Sequence, residues 1–239
     1  MGISVFVTAT DTDAGKTFVT ASLVRAFREK GLNTCALKPV CCGRAAGKMN
    51  PDIKTLLAVQ GLPDTQAAAI NLFDFAAAAA PSQAAAEEGR NIDPETLVCW
   101  CHARAKEHDI TLIEGVGGLM VPLADHFLVS DWLAAMPDCL VLLVVRTRLG
   151  GINHALLTLK QLQGMGRNPA WVVLNDADES GHAMLSRHAE ALSPVLSPYT
   201  QQLSLPHLPQ VNYASLQSLA TLVDDIHMQT GKINARSDC

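Results

Sequence analysis

The stretch from Val5 to Thr17 constrains the fold more than any other part of the chain, because it joins a strand pattern to a helix pattern through a glycine-containing turn. Apolar and β-branched residues over 3–7 predict a buried strand, and apolar residues recur at helical spacing over 18–27. A helix that begins at Gly15-Lys16-Thr17 points its unpaired N–H groups and positive dipole end at the turn. The sequence therefore predicts a polyphosphate site between this strand and this helix.

The turn is a partial match to the phosphate-loop pattern G-x-x-x-x-G-K-[ST], with Thr10 at the first glycine position. In this interpretation Lys16 contacts the β- and γ-phosphates, and the Thr17 hydroxyl ligates the accompanying Mg²⁺. Gly-Lys-Thr also occurs at ordinary helix starts. The nucleotide interpretation therefore depends on the strand before the motif and the amphipathic helix after it.

Composition is typical of one globular domain with an aliphatic core. The chain has 239 residues, of which 49% are hydrophobic and 17% charged, and a chain of this length can bury most of its apolar surface alone. We expect a single domain over residues 1–230 and a frayed tail over residues 231–239, where periodicity is lost. The net charge is -5 and the basic residues are scattered, so we expect neither nucleic acid nor a membrane surface as a partner.

The cysteines indicate a reducing compartment. Their number, seven, is odd, and Met1 leads directly into the first strand without a signal segment, so we expect free thiols and a cytoplasmic location. No apolar run is long enough to span a bilayer. Cys99-Trp100-Cys101-His102 lacks a second ligand pair at zinc spacing, which favours a helix face over a metal site.

Strand and helix patterns alternate along the rest of the chain, which predicts a three-layer α/β fold: a mostly parallel sheet with helices on both faces. Two short helical pieces are expected within the alanine-rich segment 66–86, and a proline-rich connection over 194–209. Strands are expected at Thr34–Val40, Ile110–Ile113, Leu140–Val145 and Trp171–Leu174. Longer helices are expected from Asp52, over Asp93–His108, near Asn153, over Gly181–Leu192 and over Tyr213–Met228.

Polar side chains follow several of the predicted strands. Lys38, Glu114 and Asn175 each stand at a strand end, where ligands bind in parallel sheets. An unpaired carboxylate is costly to bury, so Glu114 is expected to face a cavity, a cation or water, an exposed strand end being the alternative. Together with Asp52 and Thr17 it would supply oxygen ligands for Mg²⁺.

Lys38 would be a second cation where a simple hydrolase needs one. A strand-end lysine is often just a solvated charge. It is useful when the phosphoryl acceptor is itself an anion, because two unit charges ~4 Å apart repel by about 4 kcal/mol at an effective dielectric near 20. The pair Lys16 and Lys38 therefore indicates phosphoryl transfer to an anionic acceptor.

In order and spacing, these motifs resemble those of the dethiobiotin synthetase family. The resemblance is carried by Thr10–Thr17, Lys38–Val40, Asn50–Asp52, Glu114–Gly118 with Pro122-Leu123, Gly151–Ala155 and Asn175-Asp176. It implies a phosphate-loop (P-loop) NTPase type of fold and a cytoplasmic homodimer that uses Mg²⁺ and ATP in biotin biosynthesis. In that family 7,8-diaminopelargonate and CO₂ form a carbamate, the carbamate is phosphorylated, and ring closure gives dethiobiotin.

The resemblance also implies roles for individual residues. Thr12, Lys16 and Lys38 match catalytic positions, and Thr17, Asp52 and Glu114 match metal ligands. The positions that match nucleotide contacts are Asp13, Ala14, Gly15, Lys16, Thr17, Asp52, Glu114, Gly115, Val116, Gly117, Asn175, Asp176, Pro206, His207 and Leu208. Those that match substrate contacts are Thr12, Lys38, Cys42, Gly151, Ile152 and Asn153, the last three at a helix start that receives the substrate carboxylate from the other subunit.

The chain departs from the family pattern at four positions: Ala9 replaces a common Gly, Asp13 a Glu, Cys42 a Ser and Ser82 a His. These changes leave open a paralogue that acts on another amine. An amidoligase of the cobyric acid synthase kind would need a glutaminase domain, for which no residues remain. A partner-binding switch ATPase would need a second lysine early in the loop, and positions 9–14 contain none.

Overall fold

The structure is a computed structural model that describes residues 2–179, 181–208, 217 and 219–237. Strands and helices alternate over most of this range. The strands are β1 (Ile3–Ala9), β2 (Thr34–Leu37), β3 (Val40–Cys42), β4 (Phe73–Phe75), β5 (Ile110–Glu114), β6 (Pro122–Ala124), β7 (Phe127–Leu128), β8 (Leu140–Arg146), β9 (Trp171–Asn175) and β10 (Gln201–Leu205). The helices are α1 (Lys16–Glu29), α2 (Pro51–Val59), α3 (Ala67–Ile70), α4 (Pro81–Glu87), α5 (Pro94–Ala105), α6 (Val129–Ala134), α7 (Gly151–Gly164), α8 (His182–Leu192) and α9 (Ala220–Ser237).

Six strands form one parallel sheet in the order β10-β9-β8-β1-β5-β2. Every residue of β5 and β9 is buried, as expected for parallel strands that are covered on both faces. The sequence prediction of a mostly parallel α/β sheet is therefore confirmed. Strand β1 lies between β8 and β5, which places the loop after β1 at the point where the strand order reverses, the usual ligand site of such sheets.

The second predicted strand is divided. Its sheet pairing ends at Leu37, and Val40 begins a separate strand that pairs with β4 in a small parallel sheet. The sequence prediction of one strand over Thr34–Val40 is wrong because Pro39 has no N–H to continue the ladder. Its carbonyl instead accepts hydrogen bonds from the N–H groups of Leu72 and Phe73.

The alanine-rich segment is helical only at its two ends, in α3 and α4, as the sequence analysis expected for two short pieces. Between them the structure contains β4, which was not predicted, and a run of bends over Ala76–Ala79. High helix propensity does not decide the conformation of Ala76–Ala80, because Pro81 disfavours the helical conformation in the residue before it. The N–H of Ala76 is also bound by the Glu88 carboxylate at 2.7 Å.

Two further elements differ from the sequence predictions. The proline-rich connection contains β10, which completes the main sheet. The last helix runs to Ser237 rather than ending near Met228, and thus takes in residues assigned to the frayed tail. Residues 229–237 contain no proline, and the glycine at position 231 lowers the stability of the helix by only about 1 kcal/mol relative to alanine. The start expected at Tyr213 lies outside the described residues.

Among the residues that are described, no helix is both long and apolar enough to cross a bilayer.

The edge strand β2 is tied to α2 by one buried glutamine. The Gln60 side chain accepts a hydrogen bond from the Ala36 N–H at 2.9 Å and donates to the Ala36 carbonyl at 3.2 Å and the Leu56 carbonyl at 2.8 Å. On the next residues along the chain, the Lys38 N–H donates to Ile70 and the Lys38 carbonyl accepts from the Asn71 side chain. These contacts fix the relative positions of Lys38 and the helix that begins beside Asp52.

We expect the substitution Gln60→Leu to lower the free energy of unfolding by about 2 to 4 kcal/mol, because the N–H and C=O of Ala36 would be left unpaired inside the protein. Equilibrium unfolding in urea would measure the change. The matched control is Gln83→Leu at an exposed position of α4, which should leave the unfolding midpoint unchanged. Equal midpoints for both variants would show that the Gln60 hydrogen bonds contribute no net stability.

Candidate active site

A cleft of about 710 Å³ opens at the carboxyl ends of β1, β2 and β5. Most of the predicted site residues line it, although they come from distant parts of the chain. Those that line the cleft are Thr12, Asp13, Gly15, Lys16, Thr17, Lys38, Cys42, Asp52, Glu114, Val116 and Gly117. The predicted site residues at the ends of β1, β2 and β5 therefore meet in one cleft, as expected.

The phosphate loop has the backbone shape that its sequence suggested. Gly15, the N-cap of α1, has φ +91°, a conformation that favours glycine. A Cβ there would also lie 2.0 Å from the amide nitrogen of Asn175. That amide donates a 2.9 Å hydrogen bond to the Ala14 carbonyl. Asn175 thus packs directly against the loop and fixes its course into the helix.

The Lys16 ammonium reaches back across the loop. It donates hydrogen bonds to the carbonyl of Asp11 at 3.1 Å and to that of Gly117 at 2.8 Å. Burial, followed by the positive charge of Lys38, lowers the pKa of Lys16 to about 8. A polyphosphate would reverse this shift because an anion favours the charged ammonium. The free protein is therefore electrostatically prepared for an anion at this position.

The centre of the cleft holds a buried carboxylate with two donors. One oxygen of Glu114 accepts hydrogen bonds from the Lys38 ammonium at 2.6 Å and from the Thr17 hydroxyl at 2.7 Å. Burial alone would lower the pKa of Lys38, but the Glu114 and Asp52 carboxylates outweigh it and raise the pKa above its ordinary value. Lys38 therefore remains charged throughout the physiological pH range.

The oxygen atoms around Glu114 fit a divalent cation. The second oxygen of Glu114 is buried, and no hydrogen-bond partner for it exists among the described residues. Asp52, the second residue of α2, is half-exposed and lies 3.5 Å from the Lys38 ammonium. The side chain of Asn50 caps this helix, so the Asp52 carboxylate is not needed as the cap and can face a cation. Thr17, Asp52 and the unpaired Glu114 oxygen are the hard oxygen donors that Mg²⁺ prefers.

The cleft extends beyond Lys38 into a wall that the sequence analysis did not predict. Its members are Cys41, Gly43, Ala78, Ala79, Ala80, Pro81, Val121 and Pro122. The thiol of Cys42 lies on the same side, and burial raises its pKa to about 11. A run of alanines carries no chemical signal of a site, which is why most of this wall could not be recognised from the residue types.

The remaining predicted residues do not line the cleft. Ala14 and Gly115 lie just behind it, where their carbonyls accept hydrogen bonds from Asn175 and Lys38. Asp176 is buried at the end of β9, and its carbonyl is 3.1 Å from the Nδ1 atom of His207. That contact places the predicted nucleotide residues 206–208 beside the end of β9.

The start of α7, at Gly151, Ile152 and Asn153, is also outside the cleft lining. It is linked to the phosphate loop by an ion pair that sequence reasoning missed. The Arg148 guanidinium, three residues before α7, lies 2.8 Å from the Asp11 carboxylate. Residues 151–153 are thus held near the loop without entering the cleft of this chain.

A phosphate loop at the reversal point of a parallel sheet, with lysine and threonine at the helix start, defines a P-loop nucleotide-binding protein. A family model described as "AAA domain" matches residues 4–215. The fold is similar to that of the septum site-determining protein MinD from Pyrococcus horikoshii, crystallised with Mg-ADP (TM-score 0.54, 16% identity, 91% of this chain and 86% of that one). It is also similar to a ParA family ATPase from Chlorobium tepidum (TM-score 0.53, 14% identity, 92% of each chain).

Sequence relatives narrow this class. The chain is 36% identical to the ATP-dependent dethiobiotin synthetase BioD 1 of Escherichia coli K12 over 79% of its own length and 82% of that protein's length. It is 40% identical to the dethiobiotin synthetase BioD of Anaeromyxobacter dehalogenans, over 71% and 75% of the two lengths. The chain therefore belongs to the ATP-dependent dethiobiotin synthetase family, and it is an ATP-dependent ligase.

The lowered pKa of Lys16 predicts proton uptake on nucleotide binding. At pH 8.5 a lysine of pKa about 8 is mostly neutral, so recharging it against phosphate would take up about 0.8 proton per ATP, against about 0.1 at pH 7. Affinity for ATP should accordingly fall as the pH rises above 8. Calorimetric titrations in buffers of different ionisation enthalpy would count the protons.

The matched control for this titration is Lys54→Met, which removes an exposed lysine of α2. It should preserve the buffer dependence at pH 8.5. A binding enthalpy for the unsubstituted protein that does not vary with buffer would show that Lys16 is already charged before ATP binds.

Proposed function

We propose that this protein converts 7,8-diaminopelargonate, CO₂ and ATP into dethiobiotin, ADP and phosphate in biotin biosynthesis. The observation that carries the proposal is the pair of lysines in the cleft. The Lys16 and Lys38 ammonium groups bond to the carbonyls of Gly117 and Gly115, which are two residues apart on the loop after β5. Two cations side by side suit a reaction that brings a triphosphate and a second anion together.

The proposed reaction proceeds in three steps. One amine of the substrate attacks CO₂ and loses a proton, which gives a carbamate. A carbamate oxygen then attacks the γ-phosphorus, the bond to the ADP oxygen breaks, and a carbamic-phosphoric anhydride forms. The second amine attacks the carbonyl carbon of this anhydride, phosphate leaves with the bonding electrons, and the ureido ring closes. Little covalent chemistry falls to the protein, which positions and neutralises the reactants.

Each cleft residue then has a role. Lys16 binds the β- and γ-phosphates from the start of α1, and Lys38 lies on the acceptor side, where its charge offsets that of the carbamate. Thr12 also lines the cleft and is assigned to substrate contact. Cys42 borders the acceptor with a thiol, which is a weaker hydrogen-bond donor than a hydroxyl.

Mg²⁺ would be held by Thr17, Asp52 and Glu114 together with phosphate oxygens and water. When bound, it neutralises charge on the β- and γ-phosphates and favours the in-line geometry of transfer. Glu114 contributes from the chain itself, since it orients the Thr17 hydroxyl and the Lys38 ammonium through one shared oxygen.

The other assignments concern the nucleotide base and the second subunit. We assign the adenine to the region of Asn175, Asp176 and residues 206–208, which meet at the ends of β9 and β10. We further propose a cytoplasmic homodimer of a single domain over residues 1–230. In it, the N-terminal N–H groups of α7, from Gly151 to Asn153, receive the carboxylate of a substrate bound mainly by the other subunit.

A paralogous ligase that acts on another amine is the second candidate. It is favoured by Cys42 and by the alanine wall, which together leave the acceptor end of the cleft with little hydrogen-bonding capacity. A switch ATPase related in fold to MinD and ParA is less well supported, because positions 9–14 carry no additional lysine.

The decisive measurement is release of phosphate from ATP with and without 7,8-diaminopelargonate and bicarbonate. We expect stimulation only when both are present, with dethiobiotin identified as the product. Absence of stimulation would overturn the proposed substrate and favour the paralogue. Stimulation by a different diamine with bicarbonate would support the paralogue directly.

A variant tests the role of the strand-end lysine. Lys38→Gln retains an N–H donor for Glu114 but removes the positive charge, so we expect ATP to bind normally while acceptor-dependent phosphate release falls by about 10²-fold or more. The control is Lys54→Gln on the exposed side of α2. An unchanged rate in a folded Lys38→Gln protein would remove Lys38 from the chemistry.

A further inference from the structure

The acceptor end of the cleft is bounded by a segment that has no polar side chains. Ala78, Ala79, Ala80 and Pro81 line the cleft from one side. Because alanine ends at Cβ, this segment cannot be held by hydrogen bonds from its own side chains. Its position depends on the packing of Ala77 and Ala79 against the core and on the backbone bonds made at its two ends.

The two ends of the segment are anchored differently. At the far end, the Ala80 carbonyl accepts the first hydrogen bond of α4, from the N–H of Ala84. At the near end, where the chain leaves β4, the N–H of Ala76 donates to the Glu88 carboxylate at 2.7 Å. A short bond to a charged acceptor is about twice as strong as one between neutral groups. Glu88 is therefore the principal side-chain anchor of the near end.

Glu88 is itself held in place. The Arg90 guanidinium donates to its second carboxylate oxygen at 2.9 Å and to the Asp74 carbonyl at 3.1 Å. The same guanidinium lies over the Phe75 ring, 4.6 Å from its centroid. The hydrogen bonds from Ala76 and from Arg90 keep the pKa of Glu88 below its ordinary value, so the carboxylate is charged at neutral pH.

The turn after α4 brings Glu88 and Arg90 close to the Ala76–Ala80 segment. Gly89 has φ +64°, and the N–H of Arg90 bonds to the Ala85 carbonyl, the glycine-dependent turn that ends many helices. This turn folds the chain back so that Glu88 and Arg90 reach the end of β4. Strand β4 pairs with β3 and places Phe75 opposite Cys42. The anchor is therefore connected to the acceptor side of the cleft.

We propose that Glu88, braced by Arg90, is a positioning residue that sets the width of the acceptor end by holding the Ala76–Ala80 segment. The ligand class is a diamine with an apolar chain, because methyl groups and a proline ring offer contact but no hydrogen bonds. This inference rests on the proposed function for the identity of the acceptor. It does not involve the nucleotide, since Lys16 and Thr17 lie on α1 and neither contacts Glu88 or Arg90 in any hydrogen bond or ion pair that the structure describes.

The test compares three variants by steady-state kinetics and by amide hydrogen exchange. Glu88→Ala removes the anchor, and we expect the KM for the diamine to rise about tenfold. The kcat and the KM for ATP should stay within about twofold of the unsubstituted values. Exchange of the Ala76 amide, whose N–H donates to Glu88, should become faster by about tenfold or more.

Two further variants separate positioning from general stability. Glu88→Gln keeps an oxygen that can accept from the Ala76 N–H, so it should recover most of the diamine KM and of the exchange protection. Glu87→Ala removes the neighbouring exposed acid of α4, which makes no contact with the segment in the described hydrogen bonds, and should match the unsubstituted protein in both measurements.

The outcomes distinguish the two proposals. If 7,8-diaminopelargonate with bicarbonate stimulates no turnover at all, the proposed function fails, and amide exchange alone decides whether Glu88 holds the segment. If turnover is normal but Glu88→Ala changes neither the diamine KM nor the exchange of the Ala76 amide, the anchor is overturned while the function stands. A rise in the KM for ATP equal to that for the diamine would also overturn the anchor, because Glu88 would then not act specifically at the acceptor end.

Discussion

The buried carboxylate of Glu114 is the group on which the rest of the site depends. One of its oxygens accepts hydrogen bonds from Lys38 on the segment after β2 and from Thr17 on α1, so it ties three separate elements together at the centre of the cleft. Breaking a buried ion pair by removing one partner costs about 3 to 5 kcal/mol, because a charge is then left unpaired. Removing either partner is therefore costly, which keeps Lys38 and Glu114 in contact when no ligand is bound.

The two ends of the cleft differ in the charge of the side chains that line them. Near α1, burial and then the positive charge of Lys38 lower the pKa of Lys16 to about 8. Beyond Lys38 the wall consists of small apolar side chains and a weakly polar thiol. The first end therefore carries the charges that attract an anion, whereas most side chains that line the second end form no strong hydrogen bonds.

The sequence allowed prediction of the groups whose chemistry is unusual for their position. A carboxylate at the end of a buried strand needs a partner, and a second lysine at a strand end suggested an anionic acceptor, so both Glu114 and Lys38 were predicted to lie at the same cleft. The alanine wall could not be identified, because an alanine side chain carries no functional group and its high helix propensity predicts a helix rather than a binding site. Strand β10 was missed because it lies at the edge of the sheet, where polar residues such as Gln201 and Gln202 are tolerated. Its pairing with β9 cannot be seen in the local residue pattern.

The glutamine at the end of α2 has a consequence beyond the stability of that helix. Strand β2 forms one border of the main sheet and would otherwise present unpaired backbone groups to other molecules. The Gln60 amide takes up both the N–H and the C=O of Ala36, as a residue of a seventh strand would. Exposed sheet borders are templates for strand addition and aggregation. A single side chain thus occupies backbone groups of this border that would otherwise be open to an added strand.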